Sequence, residues 1–171
     1  MTIPACLVLV AALAGAVSDV RTRRIPNALV GALFVAGVAT NAIGGWKPAA
    51  VSVLIAVAVL AAGTFLFSLK LIGGGDVKLL AAAAGTLGYP ACVVFVLCTL
   101  VCGGVIAVAY AAWRGRLRAT FANVQSMAIP VFAGVKPARP DGTPMPYALA
   151  IFAGAVCTML ANIYLPALRF P

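Results

Sequence analysis

The chain has very few residues that can take part in acid–base or nucleophilic chemistry. It contains no histidine, and its only acidic residues are Asp19, Asp76 and Asp141. Without histidine, Ser-His-Asp and Cys-His mechanisms and histidine-ligated zinc are all excluded. Asp141 lies in the sequence Pro-Asp-Gly-Thr-Pro, which is typical of a turn. Asp19 and Asp76 are therefore the candidates for chemistry.

Asp19 and Asp76 both lie at the ends of apolar segments. A carboxylate in or near a bilayer costs about 2.5–3.5 kcal/mol on insertion scales, so such groups are usually functional. If the two converge, repulsion leaves one protonated, and the pair can activate water and polarise a peptide carbonyl. Two structural interpretations stay open: Asp76 as a helix N-cap, and Asp19 as an ion-pair partner of the arginines at 21, 23 and 24.

Three consecutive glycines, Gly73, Gly74 and Gly75, precede Asp76. Such a run destabilises a helix, permits unusual dihedral angles and lets another backbone approach closely. Irregular backbone at membrane depth is tolerated only inside protein or beside a wet cavity. The spacing does not fit a nucleotide P-loop. Lys78 lies two residues beyond Asp76, on a different helix face, and we expect its amine to extend to the aqueous surface.

The elements that position these residues are predicted to be transmembrane helices. The chain is 64% hydrophobic and 9% charged, far from the roughly 45–50% and 25% of soluble domains. We predict one all-α polytopic domain over residues 1–171, with apolar segments at about 4–18, 27–43, 49–71, 76–87, 90–113 and 146–165. Since a span takes about 20 residues, the first two are slightly short and the fourth is too short to cross alone.

Charge sets the predicted orientation of these helices. Ten of the twelve basic residues fall in connections on one side of the membrane: Arg21, Arg23, Arg24, Lys70, Lys78, Arg114, Arg116, Arg118, Lys136 and Arg139. The other side has Lys47 and Arg169. The positive-inside rule then places both termini outside, and Asp19 and Asp76 at the cytoplasmic face. The connection 114–145 is either an interfacial helix or an irregular loop.

Other features have structural interpretations. The five cysteines lie inside apolar segments without zinc spacing, which favours apolar packing and predicts no metal. The aromatic residues Trp46, Tyr89, Trp113, Tyr147 and Tyr164 fall near segment ends, as in an interfacial belt. The start of the chain lacks a basic region and a cleavage site, so we expect the first segment to be a retained helix. No basic face outside the connections suggests nucleic-acid binding.

The segment from Gly73 to Leu79, Gly-Gly-Gly-Asp-Val-Lys-Leu, resembles the Gly-x-Gly-Asp motif of membrane-embedded aspartyl proteases and the second motif of bacterial prepilin peptidases. Asp19, followed by Ile25, Pro26 and Asn27, resembles their first motif. Pro146-Tyr147 at the start of the last segment is also similar to that family. Together the motifs and the six-helix layout extend the resemblance over nearly the whole chain.

The resemblance implies a prepilin peptidase of the bacterial inner membrane, with Asp19 and Asp76 as catalytic pair and a pilin-like precursor as substrate. It implies cleavage of a short basic leader at the cytoplasmic face. The chain lacks the extra cytoplasmic region with paired cysteines found in larger members, and is similar to the short peptidases of tight-adherence (Flp) pilus systems. We therefore expect no N-methylation and no cofactor. A small ion-coupled transporter and a non-catalytic pilus assembly factor are the alternatives.

Overall fold

A computed structural model describes residues 3–68, 72–113 and 147–164. In these ranges the chain forms six helices and no strand: α1 (Ile3–Thr22), α2 (Asn27–Ile43), α3 (Trp46–Ser68), α4 (Gly74–Leu87), α5 (Ala91–Trp113) and α6 (Ala148–Tyr164). The prediction of an all-helical membrane protein is confirmed. The predicted turn at Asp141 and the connection 114–145 lie outside the described residues.

The outer surfaces of the long helices are apolar. By length and composition, α1, α3 and α5 each contain a stretch able to cross a membrane, while α2 and α6 are shorter apolar helices of 17 residues. Large apolar side chains point outward from all three long helices; Val10, Leu54 and Val101 are each about two-thirds exposed. In water such a surface would be unstable, so its natural surroundings are lipid.

The short helix α4 lies at the centre of the bundle. Every residue from Leu79 to Thr86 is buried, and α4 packs against each of the other five described helices. Its 14 residues span only about 21 Å at 1.5 Å per residue. Because protein rather than lipid surrounds α4, its length does not have to match the thickness of the bilayer.

Side-chain hydrogen bonds join α4 to its neighbours near its C-terminal end. Ser52 of α3 donates to the carbonyl of Gly85 at 2.7 Å, and Asn41 of α2 donates to the carbonyl of Thr86 at 3.1 Å. The hydroxyl of Thr86 donates to Ala82 O at 2.8 Å and reaches Leu33 O at 3.3 Å. Small residues and hydroxyls of this kind are typical of packed membrane helices.

The end of the first helix differs from its predicted position, and the last helix is described over a shorter range than predicted. The helix α1 continues to Thr22, beyond the predicted end near residue 18, and the N–H of Arg23 still donates to the carbonyl of Asp19 at 2.8 Å. With 20 residues it is therefore long enough to span. The last segment was predicted over about 146–165; its helix runs from Ala148 to Tyr164, and the predicted end at residue 165 lies outside the described residues.

Tyr147 does not belong to an aromatic belt. Trp46, Tyr89, Trp113 and Tyr164 are each at least 74% exposed at helix ends, but Tyr147 packs against the buried core. Its ring faces Gly103 of α5, where a Cβ atom would lie 3.1 Å from the phenol oxygen. The belt prediction for Tyr147 is wrong because hydropathy near a segment end does not tell inward from outward side chains.

Candidate active site

Asp19 is carried on the last turn of α1, on the half-buried side of the helix. Its carbonyl accepts a hydrogen bond of 2.8 Å from the backbone N–H of Arg23. The carboxylate oxygen Oδ2 is buried and has no hydrogen-bond partner. Among the described residues no arginine therefore satisfies this oxygen, and the interpretation of Asp19 as a surface ion-pair residue is not supported.

The turn after Asp19 is built by side-chain hydrogen bonds. Ser18 Oγ donates to the carbonyl of Arg24 at 2.8 Å, and Thr22 Oγ1, which donates to the carbonyl of Ser18 at 2.9 Å, also lies 3.2 Å from the carbonyl oxygen of Arg24. Arg23 has φ of 51°, the left-handed conformation that often ends a helix but that is usually taken by glycine. The chain then reaches Pro26, which is the N-cap residue of α2. The turn thus reverses the chain within four residues and keeps Arg23 and Arg24 beside Asp19.

Asp76 lies in the first turn of α4, as its third helical residue, and is 9% exposed. The N-cap residue is Gly73, without a side-chain capping hydrogen bond, so the interpretation of Asp76 as N-cap is wrong. The N-terminal end of a helix still favours a negative charge. Oδ1 of Asp76 is buried without a hydrogen-bond partner, which is a costly state for an ionised oxygen.

The three glycines provide space rather than unusual dihedral angles. Gly74 and Gly75 are helical, and Gly73 has φ of −70°, which any residue adopts. A Cβ atom at Gly73 would lie only 2.6 Å from Asp76 Oδ2. At Gly74 it would lie 3.3 Å from the ring of Phe67. The glycine run therefore lets the Asp76 side chain fold back over the start of α4.

The two sequence motifs meet through two direct contacts. Ile25 packs on the start of α4, with its Cβ 3.4 Å from the position a Cβ would take at Gly75. Lys78 Nζ donates to Asn27 Oδ1 at 3.3 Å, across 51 residues of sequence. The Ile25-Pro26-Asn27 turn is thereby joined to the glycine–aspartate segment, and α2 begins beside the N-terminal end of α4.

A cavity of about 340 Å³ lies where these motifs meet. Its lining contains every predicted site residue except Pro26, and adds two arginines: Asp19, Arg23, Arg24, Ile25, Asn27, Gly73, Gly74, Gly75, Asp76 and Lys78. The structure thus brings the predicted residues to one place. Lys78 shares the cavity with Asp76 although the two residues lie on different faces of α4, because the cavity covers the N-terminal end of that helix.

Charges of both signs face each other in this cavity. The carboxylates of Asp19 and Asp76 interact electrostatically, although 56 residues lie between them in sequence. Arg23, Arg24 and Lys78 supply three cations to the lining. Tyr147, at the start of α6, also interacts electrostatically with Asp76. Two nearby carboxylates at a partly dehydrated site favour sharing a single proton, which supplies one acid and one base.

A helical membrane bundle with two carboxylates at one cavity, each with a buried oxygen, defines a class of membrane-embedded proteins suited to acid–base chemistry or ion handling. The family to which the chain belongs distinguishes acid–base chemistry from ion handling. The model of the type IV leader peptidase family matches residues 6–108, which is more than half of the 171-residue chain and includes both aspartates. The chain belongs to this family. No curated protein and no solved structure was found to match.

Family membership confirms the predicted resemblance to prepilin peptidases and gives the chain a proteolytic, leader peptidase-type function. It also implies a prepilin-like substrate. The matched range ends in α5, so α6 and Tyr147 lie beyond it.

Three residues of the site were not expected from the sequence. Arg23 and Arg24 were interpreted as topology signals or ion-pair partners, although both line the cavity. Phe67 was not singled out, although its ring packs against Gly74. The Ser18 and Thr22 hydroxyls near a helix end were a usable signal for a built turn, but nothing local marks Phe67.

Proposed function

We propose that Asp19 and Asp76 are the catalytic pair of an aspartic endopeptidase that removes the leader of pilin-like precursors. The observation that carries this proposal is the pair of buried, unpartnered carboxylate oxygens beside one cavity. Unsatisfied buried oxygens are costly, so folds keep them where a ligand or a reaction uses them. Water and a peptide carbonyl are the groups that this pair would bind.

In the proposed mechanism one aspartate is ionised and the other holds a proton. The ionised carboxylate takes a proton from water as the water attacks the scissile carbonyl, and the protonated one donates a hydrogen bond to the carbonyl oxygen. The proton then passes to the leaving amine.

The site would meet its substrate at the membrane surface. The described cations other than Lys47 all lie at the end of the bundle that carries Asp19 and Asp76. The positive-inside rule therefore supports a cytoplasmic position for the site in a bacterial inner membrane. A precursor whose leader is cytoplasmic and whose helix is in lipid would present its scissile bond at this depth.

We also propose that the chain is a short peptidase of the Flp type that cleaves without methylating the new N-terminus. This proposal rests on the resemblance and on the missing cytoplasmic region with paired cysteines. Mass spectrometry of the processed precursor tests it directly. An added methyl group that depends on the purified protein would contradict the proposal.

The catalytic pair is tested by co-expression with a tagged pilin-like precursor and measurement of precursor size by gel and mass spectrometry. Asp19→Asn and Asp76→Asn keep the side-chain volume and remove the charge, and Asp141→Asn is the matched control. We expect wild type and Asp141→Asn to shorten the precursor. We expect both site variants to lose about 10²–10⁴-fold in rate, while accumulating normally in the membrane.

Cleavage at the wild-type rate by either site variant would show that the pair is not catalytic. A transporter would instead lose ion flux in these variants while no precursor is cut by the wild type. An assembly factor would support pilus formation equally well with asparagine at both positions.

A further inference from the structure

Two cysteines on different helices lie side by side away from the candidate active site. The Sγ atoms of Cys102 in α5 and Cys157 in α6 are 3.8 Å apart. Both are free thiols of intermediate exposure, whereas Cys92 is buried in the core. Sequence analysis treated all five cysteines as packing residues, since the 54 residues between Cys102 and Cys157 hide their proximity.

The helices that carry these thiols are held at close range. A Cβ atom at Gly154 of α6 would lie 2.7 Å from the Cα of Thr99 in α5, so the two backbones nearly touch there. The ring of Tyr147 fills the space above Gly103 of the same interface. The two helices are therefore in backbone contact one turn away from the thiols.

We propose that Cys102 and Cys157 form a reversible disulfide that joins α5 to α6. A disulfide bond is about 2.05 Å long, so the sulfur atoms need to approach by roughly 1.8 Å. The reaction breaks two S–H bonds and forms one S–S bond. The two electrons and two protons pass to a small membrane-permeant oxidant, a quinone or a diazene, which becomes the quinol or the hydrazine.

The position of this bond gives it a structural consequence. Otherwise α5 and α6 are joined covalently only through residues 114–147. The disulfide would close that loop and fix α6, which lies beyond the range matched by the leader peptidase family, onto the rest of the bundle. Tyr147 lies on the turn that begins α6, about 15 Å along the helix from Cys157. This inference does not depend on the catalytic role of the aspartates.

The positions of the methionines allow a direct test. The chain has Met1, Met127, Met145 and Met159, so cyanogen bromide releases residues 146–159 with Cys157 as their single cysteine. The other four cysteines all precede Met127. The purified full-length protein is oxidised with diamide, blocked with N-ethylmaleimide, and its monomer band is isolated from a non-reducing gel. After cleavage, mass spectrometry measures the fraction of peptide 146–159 that is released only by reduction.

We expect most of peptide 146–159 from the wild type to require reduction for its release. Cys102→Ser should lower the linked fraction at least tenfold. Cys98→Ser is the matched control one turn earlier on α5, and it should link as the wild type does.

Two results would overturn the proposal. One is a wild-type peptide that stays unlinked although diamide oxidises a small free dithiol in the same sample. The other is a linked peptide that persists in Cys102→Ser and is lost in Cys98→Ser, which would make Cys98 the partner.

Discussion

Asp19 Oδ2 and Asp76 Oδ1 are both buried beside one cavity, and neither has a hydrogen-bond partner. One oxygen comes from the last turn of α1 and the other from the first turn of α4. Opposite helix ends thus bring two carboxylates to the lining of one cavity. Buried oxygens without partners are costly, and this cost is the physical argument for the proposed role of the pair.

The free space at Gly73 should be required for activity. In Gly73→Ala the new methyl group would lie 2.6 Å from Asp76 Oδ2 and displace that carboxylate. Alanine accepts the φ of −70° at this position, so no backbone strain accompanies the change. We expect precursor cleavage to fall about 10–100-fold, since misplacement by about 1 Å can have an effect of this size. The cleavage assay measures it.

Gly31→Ala on α2 is the control for that variant, because a Cβ atom there has nothing within 4 Å. It should cleave like the wild type. Equal rates for Gly73→Ala and Gly31→Ala would mean that the position of Asp76 does not limit the reaction.

Close contact between α2 and α4 should be sensitive to a single methyl group. A Cβ atom at Gly37 would lie 2.9 Å from the Cα of Thr86 and would collide with its side chain. The helices must then separate, which weakens the hydrogen bond from Thr86 to Leu33 O. We expect Gly37→Ala to lower the free energy of unfolding by about 1–3 kcal/mol.

Thermal or denaturant unfolding in detergent measures this loss. Gly31→Ala on the same helix should unfold like the wild type or be slightly more stable. If both alanine variants unfold alike, α2 and α4 are not in backbone contact at Gly37.

The buried hydroxyl of Ser52 should contribute modestly to stability. It donates to Gly85 O at 2.7 Å, but that carbonyl also accepts a bond from the N–H of Gly88 at 3.2 Å. Because Ser52→Ala leaves the carbonyl one partner, we expect a loss of only about 0.5–1 kcal/mol in unfolding free energy. Ser68→Ala, whose bond is local and exposed, should change stability less. A loss above about 2 kcal/mol would indicate that Ser52 has a further role.

The left-handed backbone at Arg23 predicts which of two substitutions at this position gives the more stable protein. Arg23→Gly and Arg23→Ala both remove the guanidinium, but only glycine accepts φ of 51° without steric cost. We expect the glycine variant to be more stable than the alanine variant by about 1 kcal/mol. Parallel unfolding curves give the difference, and the reverse order would show that the turn does not keep this conformation in solution.

Local properties of the sequence were enough to predict several features. High hydrophobicity predicted a helical membrane protein, and the bounds of α2 were correct, because glycine and proline mark its ends. The chain has only three acidic residues, and Asp141 lies in a turn-like segment. Asp19 and Asp76 were therefore the candidates for chemistry, in agreement with the family resemblance. These inferences needed only residue types and short spacings.

Only the tertiary structure decided which side chains face one another. Helices such as α3 and α5 are apolar on nearly every face, so periodicity does not tell the core side from the lipid side. The central position of α4, the inward turn of Tyr147 and the neighbouring thiols of Cys102 and Cys157 all depend on contacts between distant segments. Such contacts are fixed by the space that glycines leave and by interhelical hydrogen bonds, and neither can be deduced before the helices are packed.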